Sequence, residues 1–298
     1  MRDSISYRIA AGVVLTLCLL VTYRVIHTLT GGFPEGFGFS DERYFDVTLL
    51  YSILPGYFLA MSGISAARGQ LARDCFSVDV GSSRFAMITF TLLGVVYGVL
   101  DFGLVKDQEL STRVLEWTLR TGSGFLWGCI GFYAGWRVSQ GIAMARAGRS
   151  ESINLWQRDH YRPVARMATL DVFVTMGALA LMPLQSLSST FQWVYYRPGL
   201  VVGIPMAILL LLLPLLGIRA ATARSKAVEL RAVNQEVTEY DGDRVGLELL
   251  LAHRERIAAL SPWPLDMRLL SRALFYLVIP PAAWVGAALV ERLVEQVL

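Results

Sequence analysis

Tyr133, Arg137 and Gln140 recur at i, i+4 and i+7 inside an apolar stretch, so a helix there carries all three on one face. Gly124, Gly128, Gly131 and Gly135 recur at i, i+4, i+7 and i+11 on roughly the opposite face. Small residues at that spacing let two helix backbones approach closely in lipid. A helix with glycine on one side and polar groups on the other is expected to be surrounded by protein. Two uses compete. The helix either packs tightly at a bundle centre or lines a pore, where the fixed charge of Arg137 would favour anions.

Arg137 lies about eight residues from the end of its stretch, roughly 12 Å deep in a bilayer. Asp171 stands about five residues into the next apolar stretch, at comparable depth from the same side. A charge at that depth is costly unless paired or hydrated. The expectation is an Arg137–Asp171 pair, or both groups around one aqueous vestibule. Towards the other end, Arg24 and His27 match the depth of Asp101, and an Arg24–Asp101 pair is the parallel expectation. Snorkelling of those groups to the interface is its alternative. Pro280 and Pro281 stand midway along the last apolar stretch, where they remove two backbone donors and must bend a helix; they are the hinge candidates. Pro55, Pro205 and Pro214 are further kink points.

Catalytic chemistry finds little to work with. His27, His160 and His253 fall in three separate segments, so no HExxH or histidine box exists. The Ser62-Gly63 and Ser123-Gly124 pairs lack a histidine at matching depth. A retinal Schiff base needs a lysine within a span, and Lys106 and Lys226 both fall in loops. Cys18, Cys75 and Cys129 are odd in number and form no CxxC pair, which points to a reduced chain without zinc. No catalytic residue, metal or cofactor is expected. No basic stripe interleaved with aromatics stands free of the apolar stretches, so nucleic acid is not an expected partner.

The elements that must hold these residues follow from hydropathy. Only 17% of the residues are charged, against about 25% in soluble domains, and mean hydropathy is +0.49. The charges collect between apolar runs of about 20 residues, the length of a membrane-crossing helix. Seven runs qualify: Ile9–Leu29, Val47–Ala67, Phe85–Val105, Gly122–Ala145, Met167–Leu187, Pro198–Ile218 and Leu269–Val290. The first reads as an uncleaved span, because no A-x-A pattern follows it. The fourth is the weakest, and six spans is the competing count.

Lysine and arginine fix the expected orientation. Nineteen lie on the N-terminal side of the alternating spans and six on the other, with Arg24 and Arg137 inside spans. Removing the fourth span would break that alternation. The expected fold is therefore an all-α integral membrane protein with its N-terminus inside and its C-terminus outside. Residues 1–218 form the bundle of spans one to six, 219–268 a cytosolic helical hairpin, and 269–298 the last span packed on the bundle.

Within the hairpin, Ala220–Val237 continues span six, and Asp241-Gly242 marks a turn. A second helix over Val245–Leu260 places Leu247, Leu250, Leu251 and Ile257 at helical spacing. Residues 106–120 read as a short amphipathic piece on the outer surface, and 192–197 as an interfacial aromatic belt.

The composition and these faces lead first to an oligomeric channel or pore-type transport protein in a cell membrane, the bacterial inner membrane by the arginine-rich usage. The second expectation is a non-catalytic membrane subunit or sensor whose hairpin docks a partner. A lipid-acting enzyme comes third, because paired acid–base groups are missing. The expected partners are the lipid bilayer and a homo-oligomer or membrane-complex partner.

Overall fold

A computed structural model describes residues 2–33, 40–77, 81, 83–101, 110–151, 153–186, 193–263, 271–276, 278, 282 and 284. Among them the regular structure is entirely helical. The α-helices are α1 (Arg2–Thr30), α2 (Asp41–Arg73), α3 (Arg84–Asp101), α4 (Leu110–Ser150), α5 (Arg162–Ala180), α6 (Trp193–Glu239) and α7 (Arg244–Ala259), with short 3-10 turns at Leu155–Tyr161 and Met182–Ser186.

Four helices are long and apolar enough to cross a membrane: Ile5–Thr30, Asp41–Arg73, Asp159–Gln185 and Gly199–Glu239. Three of the seven expected spans fall outside that set. The apolar helix at Arg84–Leu100 is shorter. α4 has ample length, but its glycines, serines and arginines dilute its hydropathy. Most of the seventh run, including Pro280 and Pro281, lies outside the described residues.

α2, α4, α5 and α6 form the centre of the bundle, with α1 laid on α2 and α3 laid on α4. The outer pair shows what surrounds the molecule. Val13, Leu17 and Val21 of α1, and Ile88, Leu92 and Leu93 of α3, are all exposed. So much contiguous apolar surface is foreign to a water-soluble monomer.

Local chemistry explains the element ends. Ser40 caps α2 by accepting from the Arg43 N–H at 3.2 Å, and Asp41 and Glu42 follow in the first turn, where acids suit the helix dipole. The outer-surface piece expected over 106–120 is not separate. Its described part belongs to α4, which runs unbroken for 41 residues from Leu110. Leu115 and Leu119 are buried in the core beside Tyr23 and Tyr51, and the glycine at 122 leaves room for those two tyrosine side chains, which a Cβ there would meet at 2.5 and 2.7 Å.

Glycine sets the tightest helix contacts. A Cβ on Gly98 would lie 2.5 Å from the Ser123 carbonyl oxygen, and one on Gly135 2.9 Å from that of Ala86. One on Gly131 would collide with the Phe90 carbonyl. α3 and α4 thus meet backbone to backbone, in the small-residue packing that substitutes for hydrophobic drive in lipid.

Beyond the bundle, α6 continues without a break past Ile218 and projects roughly 30 Å further. α7 folds back along it. Asp243 caps α7 by accepting from the Gly246 N–H. Lys226 ties down the other end by donating to the carbonyls of Ala258 and Leu260 at 2.6 and 2.8 Å. Leu155, Val233 and Ile257 form the small core between them.

Candidate functional site

The buried polar residues of α2, α4 and α5 converge on one point. Arg137 Nε donates to Asp171 Oδ1 at 2.8 Å, and Nη2 donates to Oδ2 at 2.7 Å. This fork-to-fork geometry is the strongest arrangement of these two groups. Nη1 donates to Gln140 Oε1, one turn along the same helix. Tyr133 donates to Asp171 Oδ1 at 3.4 Å, and its oxygen lies 2.9 Å from Ser65 Oγ of α2. Arg137 and Asp171 are each 1% exposed, and Ser65, Tyr133 and Gln140 are also buried.

Each helix contributes by spacing. Tyr133, Arg137 and Gln140 lie on one face of α4, and that face turns towards α2 and α5. On α2, Ser65 and Gly69 stand one turn apart. Gly69 makes room for the guanidinium: a Cβ there would lie 3.2 Å from Arg137 Nη1 and 3.3 Å from Gln140 Oε1. The Trp136 ring, 5.1 Å from the guanidinium carbon, closes another side. Sequence reading missed Ser65 and Gly69. A serine and a glycine inside an apolar helix look like ordinary packing residues until a charge is placed opposite them.

The glycines of α4 lie on the other face. Gly131 and Gly135 take the backbone of α3, while Gly124 and Gly128 meet the side chains of Val99 and Val95. An apolar cavity of about 370 Å³ opens beside the cluster, with Leu15, Phe58, Phe132 and Trp136 in its lining. Its walls suit hydrocarbon, not ions.

At the other end of the bundle, the Arg24 guanidinium carbon lies 3.8 Å from the centre of the Phe45 ring. The Asp101 side chain lies outside the described residues, and so does the pairing expected for it. His27 Nε2 is 2.9 Å from Asp41 Oδ1, and the same oxygen accepts from the Phe33 N–H at 2.9 Å. That backbone hydrogen bond, with a lesser contribution from His27, holds the Asp41 carboxyl below its ordinary range against the opposing effect of burial.

Among the described residues, no group of three histidine, cysteine or acidic side chains could hold a metal ion. Cys75, buried at the end of α2, has its thiol pushed up to about 11 by desolvation and by neighbouring Asp74, so it is not an activated nucleophile.

Fold and cluster together define the class: among the described residues, an all-helical protein with four helices long and apolar enough to cross a membrane and a buried ionic network between α2, α4 and α5. No family model matches the chain, and no curated protein or solved structure matches it.

Proposed function

We propose that this chain is a non-catalytic multi-pass membrane subunit, whose closed bundle anchors the cytosolic hairpin of α6 and α7 as a docking element for a second copy of the chain. In this reading the bundle crosses the membrane seven times, with the N-terminus inside and the hairpin in the cytosol, the arrangement the lysine and arginine distribution favours.

The outer face of α7 carries the proposal. Val245 and Leu249 are 63% and 68% exposed, and Ala252 continues their line at i+7. Only Ile257 of this 16-residue helix is fully buried. The hairpin is held firmly enough to present that face. Arg254 Nε donates to Asn234 Oδ1 at 2.6 Å, and Trp156 stacks on His253. Val245, Leu249, Ala252 and Arg256 follow the alternating four- and three-residue steps of a coiled-coil seam, flanked by Glu248 and Glu255. Such a helix is complementary to itself, because Arg256 of one copy can face the glutamates of another. A seam this short is weak alone, and confinement to one membrane raises its effective concentration.

A conducting path along the Tyr133–Gln140 face is the competing class of function. The cluster weighs against it, since the polar atoms that would line the path are spent on one another.

Cysteine cross-linking tests the docking. In a chain whose native cysteines are replaced by alanine, Leu249→Cys should give a cross-linked dimer in membranes, and Thr238→Cys, off the seam on α6, should not. Equal cross-linking at both positions, or none at either, would overturn the reading.

A further inference from the structure

We infer that Arg68, Arg166 and Arg272 form a binding site for the phosphate group of an anionic membrane lipid. The three come from α2, α5 and the described helical turn at 271–276, and they border one cavity of about 500 Å³. All three side chains are exposed. Among the described residues none of them has a hydrogen bond or ion pair to a protein group. The cavity lining contains no acidic side chain among the described residues. The buried acid closest in sequence to Arg166, Asp171, is already spent on Arg137. These like charges have no counter-charge among the described residues and repel each other, an arrangement suited to a bound anion.

The remaining walls say which kind of anion. Thr169, Ile64, Leu170, Phe173 and Tyr276 complete the described lining, and Phe173 meets Tyr276 edge to face at 5.0 Å between ring centres. Phe173, Leu274 and Phe275 are also exposed. The site is thus basic at the end of the apolar segments and greasy further along them. Arg68 follows the second apolar run directly, Arg166 precedes the fifth and Arg272 opens the last. That places the guanidinium groups at headgroup level and the aromatic floor at acyl-chain level. Basic pockets between helices at the cytosolic face recognise phospholipid headgroups in this way. Arginine suits the role, because its fork binds phosphate oxygens two at a time. The inference rests on the membrane reading of the bundle and is independent of the hairpin.

The test is a lipid titration of the purified full chain in neutral detergent, read by melting temperature and by lipid retained in native mass spectrometry. Phosphatidylglycerol should raise the melting temperature and be retained, while phosphatidylcholine and inorganic phosphate should do neither. Arg166→Gln and Arg272→Gln should each weaken phosphatidylglycerol about five-fold, the factor expected for one arginine near a lipid surface. Arg166→Lys and Arg272→Lys should lose less, which separates lost charge from lost folding. Equal retention of both lipids, or phosphatidylglycerol binding unchanged in the glutamine variants, would overturn the site. An arginine-dependent rise with inorganic phosphate equal to that with lipid would assign the group to a soluble ligand and overturn the lipid assignment.

Discussion

Arg137 of α4 and Asp171 of α5 meet in a two-point ion pair, 2.8 and 2.7 Å long, with both side chains fully buried. The third nitrogen of the guanidinium donates to Gln140, so the charge is neutralised and each guanidinium nitrogen makes a hydrogen bond. Such a pair adds little net stability over a well-packed apolar one, but removing one partner strands a charge. Arg137→Gln and Asp171→Asn should each cost about 3–5 kcal/mol, measured by denaturant or thermal unfolding in detergent. The double replacement Arg137→Leu with Asp171→Leu should be milder than either. A double variant no better than the worse single one would show that the two residues do not act as a pair.

The helix contact between α3 and α4 gives a graded prediction. A Cβ on Gly131 meets the Phe90 backbone, whereas one on Gly128 meets only the movable tip of Val95. Gly131→Ala should therefore destabilise by about 1–3 kcal/mol, as overpacking does. Gly128→Ala should cost clearly less. Equal effects, compared as unfolding midpoints, would mean that the glycine face does not set the helix distance.

How much of this was legible in the sequence depends on the kind of signal. Arg137 and Asp171 announce themselves, because charges inside apolar stretches are rare and matched depth suggests a partner. The glycine and polar faces of α4 follow from spacing alone. The extent of α4 does not, because charges at Arg113, Glu116 and Arg120 imitate a surface piece. In the fold Arg120 is buried and paired with Glu116 one turn earlier at 2.8 Å. Ser65 and Gly69 were equally hidden, since their roles exist only once α2 lies against α4.

Acid should loosen the junction between α1 and α2. The Asp41 carboxyl is lowered chiefly by the Phe33 N–H, so its contribution to stability is present above the ordinary carboxylate range and is lost as pH falls through its lower folded value. Asp41→Asn should be less stable than the parent at neutral pH. The gap should begin to narrow below about pH 4 and close only below the lowered folded value, where both chains are uncharged at this position. A gap that persists unchanged into acid would deny Asp41 this role.

Orientation is testable by fusion. A phosphatase active only outside the cytosol should work when fused at Leu298 and fail when fused near Asp241. The opposite pattern would reverse the sidedness assigned to the hairpin.

The most direct test of the subunit reading is the mass of the intact chain in lipid nanodiscs, measured by single-particle light scattering for the parent and for Leu249→Glu. The parent should appear as an oligomer of whole copies, and Leu249→Glu should shift it to the monomer without lowering its melting temperature, since Leu249 is exposed. A monomeric parent, or an oligomer indifferent to Leu249→Glu, would contradict self-docking through α7.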